Sequence, residues 1–164
     1  MNKSDEIEFR AFVRARMDRW RRAAYLLCHD WHLADDLTAV VIGKLYQNWR
    51  RVAAANNPDA YAQRMLTHSW LDERRRPWRR EHPTDSPPEP SGAYADPADS
   101  GDVIELLAGL APKQRAVIVL RFYFGQSVEE TAELLGISAG TVKSQSARGL
   151  ETLRSLATSP GSIG

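Results

Sequence analysis

Apolar residues recur at intervals of three and four through most of the chain, which is the spacing of an amphipathic α-helix. The pattern predicts helices over about 5–27 and 32–49, and a third near Asn57, where Asn-Pro-Asp is a helix start signal. The first helix places Met17 and Trp20 on one apolar stripe that faces a core. Alternation of the kind that β-strands show does not persist for more than a few residues. The sequence therefore predicts an all-α protein.

Helical patterns resume after residue 102. Two short helices are predicted first, and the second is expected to pack Val117, Ile118, Leu120 and Phe122. Residues 127–154 then read SVEETAELLGISAGTVKSQSARGLETLR, which predicts two helices joined by a tight turn. Ser127 and Glu130 form a capping box, and Gly136 ends the first helix because glycine adopts a left-handed conformation without strain. Ser138 caps the second helix, so the segment predicts a helix-turn-helix.

The second of these helices has hydrogen-bond donors and no acidic residue on the outer face of its first turns. This face consists of Thr141, Lys143, Ser144, Gln145 and Arg148. Short side chains allow close approach to DNA, lysine and arginine suit phosphate and guanine, and glutamine suits adenine. The face therefore favours a helix that enters the major groove, although a plain helical hairpin with a polar surface has the same periodicity.

The segment between the two helical parts has a different composition. Residues 81–101 are rich in Pro, Ser, Asp and Gly, with five acidic residues and no Lys or Arg. So few apolar residues cannot offset the entropy lost on ordering. We therefore predict helical domains over 1–80 and 102–157, joined by a flexible acidic linker at 81–101 and followed by a disordered tail at 158–164.

Charge is distributed unevenly between these parts. Residues 1–80 hold 16 Lys and Arg against 10 Asp and Glu, whereas residues 102–164 hold six of each. A basic first half favours a polyanionic partner such as nucleic acid, although an ordinary solvated surface can have the same balance.

The predicted third helix becomes basic towards its end. Trp70 is followed by Arg74, Arg75 and Arg76. Aromatic rings beside cations are typical of surfaces that bind single-stranded nucleic acid. Alternatively, Trp70 belongs to the core and the arginines complement the helix dipole. The sequence leaves both readings open for Trp70 and favours contact with the DNA backbone for the arginines.

Two polar clusters raise the question of metal binding or catalysis. Cys28, His29 and His32 are potential metal ligands, but they lie across a helix break and no second cluster completes a tetrahedral set. Asp35 and Asp36 fall in the first turns of the second helix, where acids suit the helix dipole. A catalytic pair would need a nucleophile, a base or a substrate pocket that nothing nearby supplies. We expect no catalytic site, no metal and no cofactor.

The cellular compartment is predicted from cysteine usage and hydropathy. Cys28 is the single cysteine, so no disulfide framework forms and a reducing cytoplasm is indicated. No apolar run approaches the length of a membrane span, and the N-terminal MNKSDEIEF is not typical of a signal peptide. We expect a cytoplasmic protein without membrane contact.

Residues 34–46, ADDLTAVVIGKLY, resemble the segment DAEDLVQETFLRLW of extracytoplasmic-function (ECF) sigma factors, members of the sigma-70 superfamily of bacterial RNA polymerase. The similarity is to the actinobacterial SigE-like subgroup in particular. It implies that this helix binds the clamp coiled coil of the largest polymerase subunit. The contacts implied by resemblance are Asp35, Asp36, Leu37 and Tyr46. Ala39 and Val40 stand where the family usually has Gln and Glu.

Residues 58–76 resemble a second family pattern, P-x-A-Y-x-x-R-x-x-x-N-x-x-x-D-x-x-R-R, with His68 in place of the usual Asn. The resemblance implies that this helix and its leading loop open the promoter and capture an unpaired base of the minus-ten element. The residues implied are Arg64, His68, Arg74, Arg75 and Arg76.

The second domain resembles region four of the same family. LAPKQR at 110–115 is similar to the family's L-P-x-x-Q-R, and the helix-turn-helix at 127–154 is similar to the one that reads the minus-thirty-five element. Gln145 replaces a more usual Arg. The resemblance implies a non-enzymatic promoter-specificity subunit that binds core polymerase, recognises two promoter elements and helps to melt DNA. It also implies an anti-sigma factor as a candidate partner.

Two other classes of protein remain compatible with the sequence. A stand-alone helix-turn-helix regulator would bind duplex DNA as a dimer without polymerase, but the acidic linker and the clamp-like helix argue against it. A helical interaction or metal-sensing protein would instead use Cys28, His29 and His32.

Overall fold

A computed structural model describes residues 1–75 and 101–158, without the side chains of residues 101 and 102. All regular elements in these ranges are helical, which confirms the all-α prediction. The chain divides into two compact units, one within Met1–Glu89 and the other within Pro90–Gly164. Residues 81–100 of the predicted linker and residues 159–164 of the predicted tail lie outside the described residues. The domain boundaries remain predictions.

The described residues of the first unit form four helices, and the core lies where the three long ones meet. They are α1 (Lys3–Cys28), α2 (Trp31–Gln47), α3 (Trp49–Ala53) and α4 (Pro58–Arg74). Leu45, Val52 and Leu66 are among the fully buried side chains. Met17 is 42% exposed, so its predicted place on the core stripe is wrong. Val13 and Trp20, which precede and follow it on the stripe, are 8% and 5% exposed, so the departure is local to Met17.

Polar side chains determine where these helices begin. Asn2 caps α1 by accepting a 2.8 Å hydrogen bond from the backbone N–H of Asp5. Asp30 caps α2 through the N–H groups of His32 and Leu33, and Asn57 caps α4 through that of Ala60. Each cap satisfies backbone donors that have no partner within the helix.

The helix predicted over 32–49 is interrupted at its end. α2 stops at Gln47, and the Asn48 side chain donates to the Lys44 carbonyl oxygen at 2.8 Å. α3 then begins at Trp49, whose side chain is 5% exposed. The Trp49 ring meets those of Phe9 and Phe12 at centroid distances of 5.5 and 5.3 Å. Aromatic packing therefore favours the break, which the apolar periodicity alone does not show.

Residues 101–158, the part of the second unit that the structure describes, form four α-helices and one π-helical turn. They are α5 (Gly101–Ala108), α6 (Pro112–Ile118), the π-helical turn (Val119–Tyr123), α7 (Val128–Leu135) and α8 (Ala139–Thr158). The predicted capping box between Ser127 and Glu130 is present, with hydrogen bonds of 2.9 and 3.0 Å. Gly136 ends α7 at φ 68°, as predicted. The helix-turn-helix is therefore formed by α7 and α8.

The π-helical turn changes which side chains are buried. Val117, Ile118 and Leu120 are at most 5% exposed, as predicted, but Phe122 is 53% exposed. The prediction for Phe122 is wrong because the wider turn rotates the residues that follow relative to an α-helix. Phe124, 7% exposed, occupies the core instead. The turn is held by Arg121, whose Nη1 donates to the Gln126 carbonyl oxygen at 2.6 Å.

None of the helices in the described parts of the chain combines the length and the apolar character needed to cross a bilayer. Within the same ranges, no three His, Cys, Asp or Glu side chains are grouped so that they could hold a metal ion. Cys28 instead donates its thiol to the Asp30 carbonyl oxygen at 3.3 Å.

Candidate functional site

The outer face of α8 gathers the donors predicted for the second unit. Thr141, Lys143, Ser144 and Arg148 are exposed and Gln145 is half-buried. Over residues 1–75 and 101–158, no carboxylate lies within ion-pair distance of the Lys143 or Arg148 side chain. Neither cation is therefore paired with a carboxylate of the described residues.

The inner face of α8 determines how those donors are presented. Val142 is fully buried, and Gly149 lies so close to α6 that an added Cβ would be 2.8 Å from Cγ1 of Ile118. At the N-terminus, the Ser138 hydroxyl accepts the Thr141 backbone N–H at 3.1 Å and contacts the Thr141 hydroxyl at 2.9 Å. Thr141 thus belongs both to the cap and to the candidate face.

In the first unit, α4 presents Arg64 and His68 on its exposed side, one turn apart. Arg74 and Arg75 are also exposed at its C-terminal end, and Arg76 lies outside the described residues. The Arg74 guanidinium is 5.0 Å from the centroid of the Trp70 ring. Trp70 itself is 3% exposed. Of the two readings left open for Trp70, the structure therefore favours the core residue over a ring that stacks on a base.

Polar contacts tie α4 to the other helices of this unit. The Lys44 ammonium on α2 donates to the Ser69 hydroxyl at 3.3 Å. Arg16 on α1 forms an ion pair with Asp59 in the first turn of α4, and its guanidinium lies 3.9 Å from the centroid of the Phe12 ring. Both contacts help to fix the orientation in which α4 presents Arg64.

The predicted polymerase contacts on α2 separate into exposed and buried residues. Asp35, Asp36 and Tyr46 are exposed, and the Tyr46 ring packs edge-on against Phe9 at 5.3 Å between centroids. Leu37 points into the core and is 3% exposed. The first three can therefore touch a partner directly, whereas Leu37 contributes to the packing that supports them.

Two groups of basic residues near α2 were not identified from the sequence. Arg50 and Arg51 are exposed on α3 and help to line an open pocket of about 510 Å³ beside Tyr46. Arg21 on α1 forms an ion pair with Asp35. No periodic signal marks the first two, and the pairing of Arg21 with Asp35 spans 14 residues.

Comparison with known proteins identifies the family to which both parts of the chain belong. The family models for Sigma-70 region 2 and Sigma-70, region 4 match residues 12–80 and 100–153. The RNA polymerase sigma-E factor of Streptomyces coelicolor is 38% identical over 150 residues, which cover 90% of this chain and 85% of that protein. The ECF RNA polymerase sigma factor SigE of Mycolicibacterium smegmatis is 32% identical over 151 residues, covering 87% of this chain and 58% of that protein.

The fold is shared with a solved sigma factor. The sigma factor RpoE of Bartonella quintana, in complex with the anti-sigma factor NepR, superposes with a TM-score of 0.64 at 22% identity. The superposition covers 93% of this chain and 98% of that one. Since both family regions and the relatives agree, the chain belongs to the extracytoplasmic-function family of RNA polymerase sigma factors, and it contains regions 2 and 4 of that family.

Proposed function

We propose that this sigma factor divides its task between three surfaces: α8 for the minus-thirty-five element, α4 for the minus-ten element and the outer face of α2 for core polymerase. As a member of its family, the chain is not an enzyme; it binds RNA polymerase and directs promoter-specific transcription initiation.

The unpaired cations of α8 are the observation on which this division mainly depends. Lys143 and Arg148 have no carboxylate partner in the described residues, and Gln145 lies between them on the same helix. A helix with short and basic side chains at its N-terminal end fits the major groove. We assign base or phosphate contacts to these three residues, together with Thr141 and Ser144.

For α4 the proposal combines charge with exposure. Arg64 and His68 can reach DNA from the exposed side of the helix, and Arg74 and Arg75 extend the basic surface at its C-terminal end. Arg76, the next residue in the sequence, is included in the proposal by resemblance. Extruding a base from the duplex requires a few kcal/mol. Contacts to the unpaired strand and the binding of core enzyme supply that free energy together, so melting is a joint property of the chain and polymerase.

For α2 the proposal is that Asp35, Asp36 and Tyr46 contact the clamp coiled coil of polymerase. The two carboxylates and the aromatic ring are exposed on one helix. Leu37 acts from the core by holding that helix in place. Since polymerase works in the cytoplasm, the proposed location of this sigma factor is the cytoplasm.

An anti-sigma factor is a further candidate partner. The Bartonella quintana RpoE, whose fold this chain shares, was solved with one. Occlusion of α2 or α8 by such a protein would block the proposed contacts with polymerase or with the promoter.

The division is tested by transcription in vitro with bacterial core polymerase on a promoter library, followed by mapping of start sites. We expect initiation only when the chain is added, at sites that share two spaced motifs. Initiation that is equal without the chain would overturn the proposal. A pull-down with core polymerase separates it from a stand-alone regulator, which would bind duplex DNA and leave polymerase unbound.

A further inference from the structure

We propose that Arg21, stacked on Trp31, is a positioning residue that holds the Asp35 carboxylate ready for core polymerase. The inference rests on the proposed role of α2 in polymerase binding. It adds that the corner between α1 and α2, which consists of Arg21, Tyr25, Trp31 and Asp35, forms part of the docking surface. Residues outside the motif of α2 thus order that surface before polymerase binds.

Three contacts connect the members of this corner. Nε of Arg21 donates to Oδ1 of Asp35. The Arg21 guanidinium lies 4.3 Å from the centroid of the Trp31 ring. The Trp31 ring stacks on the Tyr25 ring with centroids 3.9 Å apart and an interplanar angle of 12°. A planar guanidinium favours stacking and directed hydrogen bonds at the same time, which an ammonium group does less well.

The burial of the two charged side chains is unequal. The Arg21 side chain is 13% exposed, whereas that of Asp35 is 55% exposed. The cation is thus held inside the corner, and the anion is presented to solvent with one oxygen engaged. A carboxylate has about four lone-pair sites, so Asp35 keeps acceptor capacity for a second donor. This geometry favours presentation of Asp35 to a partner.

The backbone of the corner is firmly specified. His29 ends α1 in the left-handed conformation at φ 54°, and its N–H donates to the Tyr25 carbonyl oxygen at 2.7 Å. Asp30 then caps α2, which places Trp31 as the first residue of that helix. Because few rotations are left free between Tyr25 and Trp31, the stack on which Arg21 lies is set by the fold.

The contribution of the Arg21–Asp35 ion pair to folding stability is a weak explanation for this arrangement. An ion pair with a mostly exposed partner contributes little to folding. Binding, in contrast, requires that contacting side chains lose their rotamer freedom, and a side chain that is already ordered loses less. Arg21 therefore acts on docking by reducing the entropy that Asp35 loses when polymerase binds.

The chain offers a matched control for this idea. Arg16, also on α1, lies over the Phe12 ring and pairs with Asp59 in the same manner. Asp59 belongs to α4 and has no assigned contact with polymerase. Arg16→Gln thus removes an equivalent clamp from the same helix without changing the surface of α2.

The experiment measures the affinity of full-length variants for core polymerase by competition with a labelled wild-type chain. Arg21→Gln is expected to weaken binding about two- to tenfold, the ratio that corresponds to ordering one side chain. Asp35→Asn is expected to weaken it about tenfold or more. In the Asp35→Asn background, Arg21→Gln should have no further effect, because the guanidinium then has no carboxylate to hold.

The stack is tested separately with two substitutions of Trp31. Trp31→Phe keeps an aromatic face for the guanidinium and should bind polymerase like the wild type. Trp31→Leu should resemble Arg21→Gln. Arg16→Gln should leave the affinity unchanged, and far-UV circular dichroism checks that every variant retains its helices.

The outcomes distinguish this inference from the function on which it rests. If Asp35→Asn bound polymerase as tightly as the wild type, Asp35 would not contact polymerase, and the positioning role of Arg21 would be wrong as well. The proposed roles of Asp36 and Tyr46 would then be judged by their own substitutions. A weakened Asp35→Asn with an unaffected Arg21→Gln would overturn positioning alone. Equal losses for Arg21→Gln in both backgrounds would show a general structural role, and tighter binding would show that Arg21 competes with polymerase; either result overturns the inference.

Discussion

The two helices that we propose to contact DNA, α4 and α8, are positioned by opposite kinds of packing. α4 inserts large side chains into its core, with Leu66 1% and Trp70 3% exposed. α8 brings the bare backbone of Gly149 against Ile118. Large side chains separate helix axes, whereas glycine allows close approach. The presentation of α4 therefore depends on filled volume, and that of α8 on the absence of a side chain.

The largest effect is expected where α4 fills its core. Leu66→Ala should lower the free energy of unfolding of the first unit by about 2–5 kcal/mol, through lost burial and the cavity left behind. All five tryptophans lie in the first half of the sequence. Tryptophan fluorescence during urea denaturation therefore reports on this unit. A loss below about 1 kcal/mol would show that α4 does not depend on this volume.

For α8 the corresponding test adds volume. Gly149→Ala should destabilise the second unit by about 1–3 kcal/mol, because the new methyl group would lie 2.8 Å from Cγ1 of Ile118. Far-UV circular dichroism would show the loss, while tryptophan fluorescence would stay at the wild-type midpoint.

Gly43→Ala is the matched control, since no atom lies within 4 Å of a Cβ added at this helical position. It should stabilise the first unit by roughly 0.5–1 kcal/mol, the intrinsic preference of a helix for alanine. If both alanines stabilise the protein, close packing at Gly149 does not position α8.

The outer face of α8 gives the next contrast. Lys143→Ala or Arg148→Ala should weaken promoter binding of the reconstituted holoenzyme by about 1–3 kcal/mol if the side chain contacts a base. Arg154→Ala, an exposed residue further along the same helix, serves as the control. Binding should be compared on promoters with and without the minus-thirty-five element. Unchanged binding for both variants would remove this assignment.

The smallest effect is expected at the ion pair that links α4 to α1. Arg16→Gln breaks the ion pair with Asp59, whose side chain is 55% exposed. Solvent screens such a pair, so the loss of unfolding free energy should be about 0–1 kcal/mol. The same fluorescence measurement applies. A loss of stability as large as that of Leu66→Ala would show that the ion pair, and not the packing of buried side chains, holds α4 in place.

Several features of the site were predictable because they depend on neighbouring residues only. The donor face of α8 follows from helical periodicity, and its exposure is as expected for Lys143, Ser144 and Arg148. The roles of these residues stay predictions. Exposure of Asp35 and Asp36 also agrees with a contact surface, but the burial of Leu37 requires the position of α1 and α4 against α2.

The sequence by itself determined where the helix-turn-helix lies, because the capping box of Ser127 and Glu130 and the turn at Gly136 act within four residues. Only the tertiary structure decided that Trp70 is buried and that Arg21 holds Asp35. The physical reason is the distance along the sequence over which each kind of interaction acts. Caps and turns are satisfied by adjacent backbone groups, whereas burial and ion pairs between helices depend on how whole helix faces pack.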